Sequence, residues 1–398
     1  MSGEVVSLGC RLNIAESEAI RGMIADGPPT VVVNSCAVTA EAVRQSRRAV
    51  RRLRRDHPDA RLVVTGCAAT IEADAFAAMP EVDAVVANPA KLDPQSWGGK
   101  ALKAPLPSAS HTRAFIPVQN GCDHACTFCV IPQGRGNSVS IPIPTVLRAV
   151  EKAVYLNDPE THLNVREVVL TGVDVTSWGA ERPGGKALGD LVLAILEAFP
   201  ALPRIRLSSL DGVEIDPLLF ELLTQEPRVM PHVHLSLQSG DDMVLKRMKR
   251  RHSRGDAIAL VERLRARRPE IAIGADLIAG FPTETAAMHA ANLAIVRECH
   301  VVHGHVFPYS PRPGTPAARM PQVPPPLVRE RAAELRAQVA QVRAPWLASL
   351  VGKPAQVLAE RDGTGHAGNF AAYRVPPGTK PGNIVSCTPR RIIEGILE

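Results

Sequence analysis

Cys122, Cys126 and Cys129, in Gly121-Cys-Asp-His-Ala-Cys-Thr-Phe-Cys129, carry the sharpest chemical signal in the sequence. The spacing Cys-x3-Cys-x2-Cys puts three thiolates on one short loop, one fewer than a closed four-cysteine site needs. A cube of four irons held in this way keeps one iron without a protein ligand, so that iron can bind a small molecule. Zinc is the competing occupant, with His124 or a distant residue as fourth ligand. His124 is too close in sequence to fold back easily, which disfavours zinc.

A second set, Cys10, Cys36 and Cys67, is scattered in sequence, yet each member follows a strand-like run: Val5-Val-Ser-Leu, Val31-Val-Val-Asn and Leu62-Val-Val-Thr. Helical patterns near residues 15–25, 39–56 and 71–78 separate these runs, which implies right-handed crossovers and a parallel sheet. The carboxyl ends of such strands share one edge, where ligands bind. Taken singly, each cysteine reads equally well as a small buried hydrophobe; taken together they converge. Cys299 and Cys387 stand apart and are expected to be inert, and a reduced cytosolic chain argues against disulfides.

The elements behind the first triad are longer. Strand-like runs begin at Ala114, Glu167, Arg204, His232, Ile271 and Val301, with amphipathic helical patterns between them, for instance residues 188–199 and 256–268. Six βα units predict a barrel or partial barrel whose chemistry sits at the carboxyl ends of its strands. The expected division is an N-terminal α/β domain of Rossmann-like type over residues 1–90, a Pro/Ala/Ser/Lys-rich linker at 91–111, the barrel with a long helix at 112–345, and a small β module at 346–398.

With 398 residues, 45% hydrophobic and 22% charged, the chain has the composition of a soluble globular protein. Its apolar runs are strand-sized, far short of the ~20 residues of a membrane span, and Met1 leads directly into a strand pattern with no signal peptide. A cytoplasmic protein without membrane partners is expected. The net charge of +6 admits nucleic acid without requiring it. Two basic clusters, the arginines of residues 44–55 and the knot Lys246, Arg247, Lys249, Arg250, Arg251, suit RNA phosphates or merely solvated faces.

The Cys122–Cys129 loop resembles the signature of the radical-SAM superfamily, and nearly the whole chain is similar to the methylthiotransferase family within it. Leu8-Gly-Cys-Arg-Leu-Asn13, Asn34-Ser-Cys-Ala-Val-Thr39 and Thr65-Gly-Cys-Ala-Ala69 resemble that family's three N-terminal cysteine boxes. The match continues through His234-Leu-Ser-Leu-Gln-Ser-Gly240 and Asp276-Leu-Ile-Ala-Gly-Phe-Pro-Thr-Glu284. The resemblance implies two [4Fe-4S] clusters, one on each triad, and S-adenosylmethionine (SAM), from which the reduced cluster at Cys122, Cys126 and Cys129 generates a 5′-deoxyadenosyl radical. The other cluster would hold sulfur near the substrate carbon.

It further implies that Phe128, Gly172, Asp174, Ser208, Gln238 and Asp276 line the SAM pocket. Core packing competes for Phe128, a plain turn for Gly172, and helix capping or core satisfaction for the polar residues. Of the family's branches, which act on two modified adenosines in tRNA or on a ribosomal-protein aspartate, the run from His305 to Val323 looks most like the bacterial threonylcarbamoyladenosine branch. The implied partners are the tRNA anticodon stem-loop, an external electron donor and a sulfur source. The final module resembles part of TRAM, a small β-barrel that binds RNA. Departures from the family pattern are the short Gly27-Pro-Pro-Thr30 connection and Thr70, where glutamine is usual. A non-catalytic iron–sulfur RNA-binding protein remains the alternative of another class.

Overall fold

The computed structural model of the protein describes residues 3–98, 112–155, 165–181 and 184–398. Strands β1 (Glu4–Ser7), β2 (Thr30–Ser35), β3 (Arg61–Gly66) and β4 (Ala84–Val86) form a parallel sheet in sequence order. The central strand β2 is buried at every position, as a parallel strand covered on both faces must be. Two crossover helices, Arg11–Ile24 and Ala40–Asp56, link the first three strands, and the second is capped by the Thr39 hydroxyl accepting from the Ala42 amide. Val43, Ala49, Val50 and Leu53 turn that helix's apolar stripe inward while its arginines face out.

The next part holds β5 (Ala114–Pro117), a short hairpin of β6 (Gln119–Asn120) and β7 (Val139–Ser140), then β8 (Glu167–Thr171), β9 (Arg204–Leu207), β10 (His232–Gln238), β11 (Ala272–Ala279) and β12 (Val301–Pro308). β5, β8 and β9 make one parallel sheet and β10, β11 and β12 another, joined by the bridge Leu210–Leu235. Six parallel strands thus form the partial barrel that the sequence pattern predicts. Among the described residues β5 and β12 do not pair, so the barrel is open on that side.

Alternation along each strand sorts its side chains. Ala114, Ile116, Val168, Leu170, Ile205, Leu207, Val233, Leu235, Ile273, Ala275 and Leu277 belong to one apolar core shared with the surrounding helices. The other parity, facing the barrel interior, reads Arg113, Glu167, Arg204, Arg206, His232, His234, Gly274, Asp276, His303 and His305. A barrel filled for stability carries branched aliphatic residues inside. This interior is polar and partly open: Arg113, Phe115 and Pro117 are half-buried while their outward neighbours Ala114 and Ile116 are buried.

The long helix Pro325–Ala348 packs along β12 and leads into a six-stranded, mainly antiparallel C-terminal sheet over residues 355–397. Part of the expected linker is ordered: Lys91 is buried and Trp97, 7% exposed, packs on Val5, Ile20 and Val32 of the N-terminal unit. Composition missed this because one tryptophan anchors an otherwise polar segment; residues 99–111 lie outside the described residues.

Candidate active site

Each cysteine of the scattered set follows its strand, and the three meet. Cys10 is the N-cap of helix Arg11–Ile24, Cys36 follows β2 directly, and Cys67 begins the short helix Cys67–Ile71 after β3. Gly9, with φ +90°, brings the first loop against Cys36: a Cβ there would stand 2.7 Å from the Cys36 sulfur. Burial pushes the Cys36 thiol up to about 11, and the neighbouring Cys10 and Cys67 sulfurs add to the effect. An iron ion would displace that proton on binding.

The second triad lies on a loop held at both ends. Gly121 has φ +73°, and a Cβ there would meet the Asn137 carbonyl oxygen at 1.8 Å. Gly121→Ala is therefore expected to distort the cysteine loop at a cost of about 1–3 kcal/mol. The iron content of the reconstituted protein should fall by roughly half while the rest of the chain still melts cooperatively. Unchanged iron would show that the loop tolerates a side chain.

Donors aim at the sulfurs: the His124 amide at Cys122 (3.4 Å), the Ile131 amide at Cys129 (3.4 Å), the Asn88 side-chain amide at Cys67 (3.3 Å) and Arg250 at Cys126 (3.7 Å). Neutral thiols are weak acceptors, so these contacts gain most with anionic, metal-bound sulfur. Burial pushes Cys122 up to about 12 and Cys129 up to about 11 in the metal-free chain.

A single zinc ion draws its sulfurs to about 3.8 Å from one another, given its ~2.3 Å bonds and tetrahedral angle. Among the described residues, neither triad belongs to the groups whose ligand atoms lie mutually within 4.8 Å. His124 instead faces Asp174 at 2.6 Å and Glu214 at 3.5 Å. Two wide sets of three thiols fit polynuclear clusters better than one mononuclear ion each.

The triads approach one another. A Cβ on Gly134, in helix Ile131–Arg135, would stand 3.3 Å from Cys67, and Asn88 bridges the Cys67 sulfur to the Gly134 carbonyl at 2.6 Å. Beneath this contact lies a buried ion cluster. Arg135 holds Glu16 with two bonds of 2.8 and 2.9 Å, and Lys91 reaches the same carboxylate at 2.5 Å. Burial works against the Glu16 carboxylate, but Lys91 and Arg135 outweigh it and hold its pKa below the usual range.

The remaining candidates are distributed around the barrel. Asp174 lies 3.8 Å from the Cys122 sulfur, beside the loop. Gly172 supports this segment by close packing: its missing Cβ would meet the Gln119 carbonyl at 2.8 Å, while the Gln119 side chain accepts from the amides of Val173 and Asp174. Ser208, just beyond β9, has a buried hydroxyl without a hydrogen-bond partner among the described residues. Gln238 ends β10 at φ 64°, and Phe128 meets Phe281 edge-on at 6.3 Å.

Asp276 lies deeper, joined to His234 at 3.0 Å and His305 at 3.3 Å. Burial raises its carboxyl pKa, but the two histidines outweigh that and hold it at about 2. Spacing alone singled out neither histidine, although the alternation of His-Val-His in β10 marks both as inward-facing.

The basic clusters divide. On helix Ala40–Asp56, Arg44, Arg47 and Arg54 pair with Glu41, Glu72 and Asp83, whereas among the described residues the exposed Arg52 and Arg55 have no such pairs. The second knot turns inward only in part, since Lys246, Lys249 and Arg251 stay exposed. Lys249 at φ 56° reverses the chain after helix Asp242–Met248, so Arg250 reaches Asp211 and Cys126, and Arg251 reaches Asp211 and Glu214.

Residues 116–293 match the Radical SAM superfamily, and residues 3–87 match the family described as Uncharacterized protein family UPF0004. The chain is 42% identical to the threonylcarbamoyladenosine tRNA methylthiotransferase MtaB of Rickettsia prowazekii, over 99% of its own length and 96% of that protein. It is 32% identical to a protein of the same name from Thermotoga maritima, covering 89% and 86% of the two chains. Identity is also 32% with the tRNA-2-methylthio-N(6)-dimethylallyladenosine synthase of Erythrobacter litoralis, covering 92% and 88%. Among solved structures, the radical S-adenosylmethionine methyltransferase TsrM of Kitasatospora setae superposes with a TM-score of 0.54 at 15% identity, over 76% of this chain and 66% of that one, a likeness of fold. With two cysteine triads meeting at a polar partial barrel and relatives matching along almost its full length, the chain belongs to the radical-SAM methylthiotransferase family, whose members use S-adenosylmethionine and [4Fe-4S] clusters.

Proposed function

We propose that the protein is a cytoplasmic enzyme that converts N6-threonylcarbamoyladenosine, at position 37 in the anticodon loop of tRNA, into its 2-methylthio derivative. The approach of the two cysteine triads carries this reading, because replacing C–H by C–S–CH3 requires radical generation and sulfur delivery at one carbon. The relatives with the threonylcarbamoyladenosine name support the choice of base. Cys122, Cys126 and Cys129 would hold one [4Fe-4S] cluster, and Cys10, Cys36 and Cys67 the other. When bound, one SAM would supply the methyl group and a second, cleaved by one electron, the radical that carries the substrate hydrogen away as 5′-deoxyadenosine, while the cluster on the other triad would supply the sulfur; an external electron donor and a sulfur source complete the balance.

The chain's own residues position and shield these groups. Arg250 and the loop amides donate to the sulfurs. Phe128, Asp174, Ser208, Gln238 and Asp276 are assigned to the SAM side of the chamber, with Gly172 fixing Asp174 through Gln119. The outer apolar core keeps bulk water from the outward faces of the strands and so holds them in register around the chamber. Arg52 and Arg55 present cations for the RNA phosphates.

Deleting the gene in its host and separating tRNA nucleosides by mass spectrometry tests the reading. The 2-methylthio-threonylcarbamoyladenosine should vanish and its unthiolated parent accumulate, with rescue by the wild-type chain. Loss of a 2-methylthio-isopentenyl-type adenosine instead would reassign the substrate. An unchanged tRNA profile would direct attention to the ribosomal protein.

A further inference from the structure

Helix Arg11–Ile24 projects one side chain toward the barrel interior that none of the assignments above uses. Arg11 is half-buried, and among the described residues its guanidinium has neither a hydrogen bond nor an ion pair. Its central carbon lies 5.8 Å from the ring of Phe370, which the C-terminal module inserts at the amino-terminal end of the barrel strands. Arg113 and Arg206 stand over the same ring at 5.4 and 4.8 Å. His232, His303 and His366 surround it with centroids at 5.2, 5.9 and 4.6 Å.

Charge is unbalanced here. Arg113, Arg204 and Arg206 share Glu167, and Arg113 also reaches Glu360 at 2.7 Å, so with Arg11 four guanidiniums face two carboxylates. His366 also takes Glu360, at 2.9 Å. Asp276, one layer further along the strands, is engaged by His234 and His305. A second observation is independent of charge: His232 is only 5% exposed, and among the described residues neither of its ring nitrogens has a hydrogen-bond partner. Buried cations in excess and an orphaned buried imidazole both call for an acceptor from outside the chain.

We propose that Arg11, flanked by His232, receives the carboxylate of the substrate's threonylcarbamoyl arm and so selects that adenosine over uncharged modifications. This rests on the substrate reading above. A planar guanidinium takes a carboxylate through two parallel bonds, which makes the contact specific as well as strong. The same chemistry is offered by the methionyl carboxylate of SAM, so the test must separate the two.

Full-length protein with reconstituted clusters would be titrated with an anticodon hairpin carrying threonylcarbamoyladenosine, with the same hairpin capped as its methyl ester, and with the unmodified hairpin. SAM would be titrated separately. The wild type should bind the acid about 10–100-fold more tightly than the ester. Arg11→Ala should bring that ratio close to one and Arg11→Lys should retain part of it, with iron content and SAM affinity unchanged. If Arg11→Ala loses iron, the ratio is read in His232→Phe, where a several-fold fall is expected.

A full ratio in these variants would overturn the proposal while leaving the reaction intact. A fall in SAM affinity with the hairpin ratio preserved would assign Arg11 to the cofactor and overturn it as well. A wild type indifferent to the modification would instead sink the substrate reading, and this inference with it.

Discussion

Replacing Cys122 by alanine should abolish formation of the 2-methylthio product and also abolish SAM cleavage, whereas Cys10→Ala should abolish the product but leave cleavage in place. Each variant should retain roughly half of the wild-type iron. The asymmetry follows from the assignment of two different jobs to two sets of thiols. The loop Cys122, Cys126 and Cys129 stands beside Asp174 and Arg250, while Cys10, Cys36 and Cys67 meet across the edge of the N-terminal sheet. Anaerobic assay of 5′-deoxyadenosine with dithionite, alongside iron and sulfide analysis, reads both outcomes. Equal loss of cleavage in the two variants would show that the N-terminal triad is needed for radical generation itself, and the division of labour would fail.

Glu16→Ala should destabilise the protein by about 3–5 kcal/mol, because it leaves Lys91 and Arg135 buried without their shared carboxylate. Both cations and the glutamate have side chains no more than 3% exposed. The effect should also be directional in space. Helix Ile131–Arg135 rests on the Cys67 turn, so the damage should appear as weaker docking of the N-terminal unit on the barrel, detected by hydrogen exchange in residues 3–98. Glu16→Met combined with Lys91→Met and Arg135→Met removes the whole set of charges, and much of the loss should return. Destabilisation as large in the triple variant would mean that packing, not charge, makes the cluster matter.

The same cluster gives the acid arm of the stability profile a definite sign. Glu16 titrates below the 4.5 of a free glutamate because Lys91 and Arg135 favour its charged form. Its contribution is fully present above the unfolded value and disappears as pH falls through the lower folded one. Glu16→Ala should therefore flatten the wild-type loss of stability on that acid side.

Much of this arrangement is legible in the sequence, for a physical reason. Buried parallel strands are short apolar runs, and a cysteine directly after such a run must stand at the carboxyl edge of its sheet. Cys36 after β2 and Cys67 after β3 follow this rule without exception. Alternation also exposes the inward histidines and arginines of β9, β10 and β12 once a barrel is assumed. The Glu16–Arg135 pair leaves no such trace, since its members are 119 residues apart and each sits in an ordinary helical pattern. Nor does the inward turn of Arg250, which depends on the left-handed conformation of Lys249. In a sequence, a basic run that lines a chamber is indistinguishable from one that faces solvent.

Phe370 has a consequence for biosynthesis. The chamber takes Arg11 from the unit that precedes the barrel strands in the chain and its aromatic plug from the module that follows them. A nascent or truncated chain that ends before the plug can carry all six cluster cysteines and every barrel strand, yet its interior stays open at the amino-terminal mouth. That mouth is thus closed only after the C-terminal module has been made, later than every strand that forms the chamber wall.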